Sequence, residues 1–412
     1  MNTMRSLTFR TLTLRTLLVA AAPLLVSACD ETNQPLTPDV VEESTDDLWG
    51  WGHGRRAGRF DALTVMTRNL YLGGDTGPVF GADFSNPLEV VQVSAAVWAE
   101  VLSSNVSERM SEIADEIARE RPDLIALQEA FQFIELDLTS GVPQPVQVID
   151  LLAVLEAELA ARGLPYRTLA VRPNTDATLP TGLDLSTGQV TSAVKFLDRI
   201  AVLAHDDLKV ADVQDANYLA SFPLTEGVVL KRGWIRVDTE RRGVPYHFIA
   251  THLETQRIGP IHDAQGAELR TSIAAGLDGV TIIAGDLNSD AAAEAGDPSW
   301  TPTYGSLIDA GFLDAWLHAN GRRRGQGFTC CNDPDLLNTR PGYDERIDFV
   351  LIRGDGFDPG RVGFGSNIRT HLVGERYWDR TPSGLWPSDH AGVVAELRVR
   401  RGRGGPWGPH DD

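Results

Sequence analysis

The chain has 412 residues, 42% of them hydrophobic, with 57 acidic against 37 basic side chains and a formal net charge of −20. That apolar fraction is ample for a sizeable core and fits one large domain or two medium ones. The acidic balance argues against a protein that grips long nucleic acid without sequence preference, a local basic groove excepted.

Arg5, Arg10 and Arg15 form a positive segment without acids, and the apolar run that follows ends in Leu25-Val26-Ser27-Ala28-Cys29. A run this short is the core of an export signal rather than a membrane span. A cysteine directly after small residues resembles the lipobox of bacterial lipoproteins. That resemblance implies a signal peptide over residues 1–28 and lipidation of Cys29. The protein would then be exported and membrane-anchored, on the periplasmic or cell-surface side. An ordinary secretory signal with an incidental Cys29 is the alternative, and would give a secreted protein. Residues 29–59 read as a tether, acidic and proline-bearing from Glu31 to Asp47, then rich in Gly, Trp and Arg. Residues 400–412 read as a flexible tail, leaving 60–399 as the folded domain.

Within that domain Leu63 to Asn69 reads as a strand, and Pro87 to Asn105 and Ser107 to Glu120 as helices, the second capped by Ser107. Pro122 closes it, and Leu124 to Leu127 is a short buried strand. Val148 to Arg162 reads as a helix ending at Gly163. Strand-like runs follow at Tyr166 to Val171, Ile200 to Ala204, Trp234 to Val237 and Tyr246 to Thr251. His262 to Ala275 reads as a further helix, and Thr281 to Ala284, Ile347 to Ile352 and Val393 to Leu397 as the last strands. Strands and helices that mix without strict alternation favour a layered α/β domain with partly antiparallel sheets. Adjacent cysteines seldom bond to each other, and two cannot make a structural zinc site unaided. Cys330 and Cys331 are therefore expected to be packing residues near the site, with a strained bond as the alternative.

Several apolar strands end in groups able to do chemistry. Val280-Thr281-Ile282-Ile283-Ala284 runs into Gly285-Asp286-Leu287-Asn288-Ser289, which places a carboxylate and a carboxamide two residues apart at a strand end. The same arrangement recurs at Arg68-Asn69, Gln128-Glu129, Thr251-His252 and Ser388-Asp389-His390. Asp348 lies inside an apolar strand, between Ile347 and Phe349, where a carboxylate needs a partner. Each alone has a bland reading: a turn asparagine, a solvated glutamate, a satisfied structural histidine. Together they supply what metal-assisted phosphate hydrolysis requires. Carboxylate oxygens suit a hard cation, donors face the phosphate oxygens, and a base stands ready for water.

On Thr67-Arg68-Asn69, Leu127-Gln128-Glu129, Thr251-His252-Leu253, Gly285-Asp286-Leu287-Asn288, Arg346-Ile347-Asp348-Phe349 and Ser388-Asp389-His390, in that order, the chain resembles the endonuclease/exonuclease/phosphatase superfamily, the deoxyribonuclease I-like group. The resemblance implies a four-layer α-β-β-α sandwich, two mixed sheets with outer helices and a site at one edge. It also implies roles. Glu129 is the principal metal ligand and Asp389 a second contributor, for Mg²⁺ with Mn²⁺ or Ca²⁺ as alternatives. Asp286 holds or deprotonates the attacking water, and Asn69 and Asn288 orient phosphate and water. His252 and His390 face the phosphate oxygens, Asp348 fixes the His390 tautomer, and Asp198 pairs with His252 or forms a surface ion pair with Arg199. Tyr71 stands where many members carry an acid or amide, and Asp75 is a substitute ligand or a turn residue. Arg322 to Arg324 reads as a polyanion contact or as a solvated run.

The function so implied is a Mg²⁺-dependent phosphoesterase acting on nucleic acid, a phospholipid head group or an inositol phosphate. It needs no obligate protein partner, and its membrane contact is the N-terminal lipid anchor. The rivals are a non-catalytic surface binding protein on the same fold and a zinc hydrolase. No histidine pair here has zinc-helix spacing, which weighs against the latter.

Overall fold

The apolar runs Leu124–Gln128 and Val280–Asp286 are buried along their whole length, as strands covered on both faces must be. They are central strands of two stacked sheets. The computed structural model describes residues 60–225, 227–241, 243–321, 327–354, 357 and 367–400, all inside one unit, Gly58–Asp412. The signal peptide, Cys29, the tether, Arg322 to Arg324 and the tail beyond residue 400 lie outside the described residues.

In chain order the strands are β1 Phe60–Asn69, β2 Leu124–Gln128, β3 Gln132–Asp137, β4 Gln144–Asp150, β5 Tyr166–Asp184, β6 Gln189–His205, β7 Val210–Asn217 and β8 Phe222–Thr225. They continue with β9 Val228–Leu230, β10 Gly233–Arg241, β11 Val244–His252, β12 Val280–Asp286, β13 Leu313–Asp314, β14 Asp348–Arg353, β15 Ile368–Val373 and β16 Gly392–Arg400. The helices are α1 Gly77–Gly81, α2 Pro87–Ser103, α3 Val106–Glu120, α4 Leu151–Ala161, α5 Gly259–Glu268, α6 Thr303–Asp309 and α7 Ala315–Asn320. The first sheet runs β15-β16-β1-β2-β6-β3-β4, with β5 laid along β6, and the second runs β13-β14-β12-β11-β10-β7. Each sheet has one parallel pair, β1–β2 and β11–β12, among antiparallel ones.

Side-chain alternation builds the layers. Leu63, Val65, Leu124, Ala126 and Val202 of the first sheet meet Val237, Phe248, Ile282 and Val350 of the second in a central core. The opposite face of the first sheet packs Met66, Ile125 and Leu127 on Trp98, Met110, Ile113 and Leu155 of α2, α3 and α4. The opposite face of the second packs Ile249, Ile283 and Leu351 on Leu269, Ile273 and Leu307. This is the four-layer α-β-β-α sandwich expected from the motifs. No helix among the described residues is long and apolar enough to cross a membrane.

Several element boundaries differ from the sequence expectation. Helix α3 is capped by Asn105, not Ser107; Asn105 sits in the left-handed region at φ 47° and accepts from the Glu108 amide at 3.4 Å. Val148 to Asp150 belongs to β4, and α4 begins only after Asp150 caps it by accepting from Ala153 N at 3.1 Å. The helix expected to run to Ala275 changes to a π turn over Leu269–Ile273. Strands β3, β4, β7, β8, β9, β13 and β15 are not among the expected elements; β3, β4 and β7 are mostly half-buried or exposed and lack the continuous buried run that marks β2 and β12.

Candidate active site

Strand register assembles one half of the site. His252 pairs with Asp286 across the parallel β11–β12 ladder, and Asp286 pairs with Asp348 across the antiparallel β12–β14 ladder. One histidine and two carboxylates therefore stand in a row across three neighbouring strands. Gly285 permits this approach, since a Cβ there would sit 2.0 Å from the Thr251 carbonyl oxygen. Gly285→Ala is expected to cost about 1–3 kcal/mol by overpacking and to lower turnover by displacing Asp286 from His252. A denaturation midpoint and a rate measured on the same preparation check both effects.

The first sheet supplies the facing half. Asn69 ends β1, and Glu129 follows β2 in the left-handed region at φ 54°. The Asn69 Nδ2 donates to Glu129 Oε1 at 3.1 Å and to Asp286 Oδ2 at 3.2 Å, which ties the two sheets together at their edge. Glu129 Oε2 accepts from Leu72 N at 2.9 Å. Asn288, at φ 47°, donates its amide N–H to Asp286 Oδ1 at 2.9 Å and its side chain to Leu253 O at 2.9 Å.

The segment before β16 closes the site. His390 Nδ1 lies 2.8 Å from Asp348 Oδ2, and His390 Nε2 points toward Asp286 Oδ2 at 4.0 Å and Asp389 Oδ1 at 3.9 Å. Ser388 Oγ donates to Asn69 O at 2.8 Å and accepts from His390 N at 3.1 Å. Beneath it, the buried Arg68 donates to the His390 carbonyl and forks onto Glu116, with both bonds at 3.0 Å. Arg109, equally buried, donates to the carbonyls of Leu70, Tyr71 and Pro387 and so fixes both loops that flank the site.

Electrostatics follow from burial. Burial, reinforced by Asp348, pushes the Asp286 carboxyl up to about 7. Burial and the Glu129 charge push Asp389 up to about 6, with His390 opposing. Burial alone would lower His390, but Asp348, Asp389 and Asp286 outweigh it and hold its pKa well above the ordinary range. Burial, Arg232 and His390 hold His252 well below that range, so it stays neutral.

Among the described residues Glu129, Asp286 and Asp389 form no ion pair with lysine or arginine. These acids outnumber the positive charge that His390 brings among them, and their hard oxygen donors suit a divalent cation of the Mg²⁺ type. Asp348 Oδ1, buried and without a hydrogen-bond partner, adds to that deficit of positive charge. Asp286, Asp348 and His390 also bring ligand atoms within 4.8 Å of one another, but His390 Nδ1 there is committed to Asp348.

Asn69, Glu129, His252, Asp286, Asn288, Asp348, Asp389 and His390 are thus brought into one neighbourhood. Asp198 is not bonded to His252. It is a buried residue of β6, where burial pushes it up to about 6, and its Oδ2 accepts from Asn174 at 3.3 Å and from Arg232 at 3.4 Å. Nor does Asp198 form a surface pair with Arg199, whose fork holds Asp150 instead. Tyr71 is buried, donates to Pro334 O at 2.9 Å and offers no carboxylate. Asp75 is an exposed turn residue that accepts from Gly77 N at 2.8 Å. Cys330 and Cys331, expected as packing residues with a bond between them as the alternative, follow the alternative and are joined by a disulfide across a cis peptide bond. Cys330 is buried and bridges the His390 backbone, while Cys331 is exposed at the mouth of the site. Sequence reasoning assigned no role to Arg68, Arg109, Arg232 or Glu254; the available signal was a charge at or beside a strand end for Arg68, Arg232 and Glu254, and none for Arg109, which lies within α3.

The Endonuclease/Exonuclease/phosphatase family model matches residues 101–390. No curated protein matches the sequence. Among solved structures, an endonuclease/exonuclease/phosphatase family protein from Bacteroides thetaiotaomicron is similar at 16% identity and TM-score 0.49, over 84% of this chain and 100% of that one. A family protein from Leptotrichia buccalis is similar at 13% identity and TM-score 0.47, over 81% and 99%. Truncated Caenorhabditis elegans TDP2 is similar at 18% identity and TM-score 0.45, over 82% and 97%.

Proposed function

This chain belongs to the endonuclease/exonuclease/phosphatase family, and on that premise we propose that it is a metal-dependent phosphoesterase that hydrolyses a phosphodiester or phosphomonoester by in-line attack of water. The observation that carries the reading is the joining of both sheets through Asn69, which bonds Glu129 and Asp286 at once. A retired binding fold would not be expected to keep that connection together with the Asp348–His390 pair.

Glu129 and Asp389 would hold the cation, Mg²⁺ first and Mn²⁺ or Ca²⁺ as alternatives, which when bound neutralises negative charge on the phosphate. Asp286 holds the attacking water on Oδ2 and accepts its proton; a carboxyl poised near 7 has the right basicity for that transfer. His390, kept protonated by the acids around it, directs Nε2–H at a phosphate oxygen or the departing alkoxide. Asp348 holds its Nδ1–H. Asn69 and Asn288 orient the reacting groups, and neutral His252 presents a donor without adding charge.

The substrate classes proposed are nucleic acid, phospholipid head groups and inositol phosphates, since specificity in such sites resides in the surrounding loops. We also propose export and anchoring through a lipidated Cys29. Loss of palmitate labelling in Cys29→Ser, with release of the protein from membranes, is the expected result.

The test is turnover of bis-p-nitrophenyl phosphate and of DNA, RNA, sphingomyelin and phosphatidylinositol phosphates, with and without EDTA. EDTA is expected to abolish turnover and Mg²⁺ to restore it. Glu129→Gln is expected to weaken metal affinity by more than the about 10–100-fold lost with a partner that merely supports a ligand, since Glu129 would touch the cation itself. Absence of metal-dependent turnover on every phosphoester would favour the non-catalytic binding protein.

A further inference from the structure

The histidine on β11 lacks the acidic partner that the sequence assigned to it, and the residue in that place carries the opposite charge. Arg232, just before β10, directs Nη1 at His252 Nδ1 at a distance of 3.1 Å. The same guanidinium reaches Asp198 Oδ2 at 3.4 Å and lays its other edge on Glu254, at 3.3 Å and 3.4 Å. Both acids are 2% exposed, and the Arg232 side chain is 16% exposed. Asn174 Nδ2 supports Asp198 from behind at 3.3 Å. Gly233 lets this layer close: a Cβ there would lie 2.8 Å from Ala216 O and 2.9 Å from Asn174 Oδ1.

A guanidinium has only donors and does not lose its proton. The ring nitrogen it faces must therefore accept, which excludes a proton on Nδ1. We infer that Arg232 is the positioning residue of His252: held by Asp198 and Glu254, it donates to Nδ1, selects the Nε2–H tautomer and turns that proton toward Asp286. Nε2 lies 3.4 Å from Asp286 Oδ2. Asn288 Nδ2 lies 3.2 Å from the same nitrogen and, with one hydrogen on Leu253 O at 2.9 Å, has a second that competes for it as an acceptor. A neutral imidazole accepts at one nitrogen only, and the closer, charged Arg232 donor at Nδ1 outweighs the neutral amide.

An acid at Nδ1 would favour an imidazolium; a guanidinium excludes one. The histidine is thereby limited to a neutral donor, and proton transfer is left to Asp286 and His390. Asp198 acts on His252 only through Arg232. This assignment rests on the proposed phosphoesterase reading for its kinetic arm alone.

The experiment is ¹⁵N NMR of histidine-labelled full-length protein without metal, with the His252 signals identified by their loss in His252→Gln. At neutral pH the wild type is expected to show an unprotonated Nδ1 and a protonated Nε2. Asp198→Asn is expected to keep that pattern, because Glu254 still holds the fork. Arg232→Lys, a conservative change that keeps the positive charge, is expected to blur it into a tautomer mixture. The kinetic expectation for Arg232→Lys is a fall in kcat of about 10–100-fold with KM little changed, as for loss of an orienting partner. A protonated Nδ1 in the wild type overturns the inference whether or not any substrate is found. So does a tautomer switch in Asp198→Asn with Arg232 intact, since it would make the acid the direct partner. If Arg232→Lys fails to fold, the wild-type spectrum still decides.

Discussion

Asp286→Asn is expected to lower turnover about 10²–10⁴-fold, the range for loss of a positioned acid–base group, while the metal-free protein becomes less sensitive to alkaline pH. Asp286 ionises near 3.9 in an unfolded chain but near about 7 in the folded one, because it is buried and faces Asp348. A group whose folded pKa is raised contributes stability that is complete below about pH 4 and gone once the pH has risen through about 7. In EDTA, the wild-type melting temperature should therefore fall relative to that of Asp286→Asn as the pH is raised from about 5 to about 8. Saturating Mg²⁺ should narrow the gap, since a cation bound only to the folded state offsets the repulsion. His390→Ala is the companion. It should lose comparable activity and show a pH effect of the same sign displaced to higher pH, because the raised His390 pKa gives a stabilisation that is complete below about 6.5 and lost only as the pH rises through its higher folded value. Retention of full activity by either variant, or collapse of the Asp286→Asn melting curve at every pH, would remove both residues from the catalytic account.

The second large effect belongs to Arg68, which touches no substrate. Arg68→Ala is expected to destabilise the protein by about 3–5 kcal/mol, the usual result of leaving one member of a buried ion pair alone. The stranded group is Glu116, fully buried, whose carboxyl burial already pushes upward despite the Arg68 charge. Arg68→Met combined with Glu116→Leu should recover most of the stability, because it replaces the pair with apolar volume instead of orphaning a charge. Activity should not recover with it. Arg68 also holds the carbonyl of His390, and that anchor is missing in the double variant. A urea titration and a kcat measurement on the wild type and the two variants separate the roles. Equal recovery of stability and rate would reduce Arg68 to a packing residue.

The sheet assignments were legible wherever a strand is buried on both faces, as in Val280–Asp286, because an apolar run there admits few readings. The half-exposed β3, β4 and β7 were not, and neither was the cap of α3, where Asn105 and Ser107 are both acceptable capping residues by type. Within the site, the setting of Asp348 between Ile347 and Phe349 shows only that the carboxylate must be compensated; that His390 is its partner is what the family resemblance implies, and the two stand 2.8 Å apart. The Asp198 reading went wrong for a related reason. The sequence shows that a buried acid needs a partner, but several cations and one histidine were available, and only packing chooses among them.

The sequence by itself determined which side chains end the buried strands, and therefore the chemistry on offer: hard oxygen donors, two histidines and amides, with no lysine or arginine in the same motifs save Arg68 and Arg346. Only the tertiary structure decided how they are wired. The β11–β12–β14 register sets His252, Asp286 and Asp348 in one row, and the stacking of the two sheets brings Asn69 and Glu129 to meet them. Arg232, not Asp198, faces His252. The physical reason is that composition and spacing report the demand of a buried charge for compensation, whereas its partner is settled by distances between strands that lie far apart along the chain.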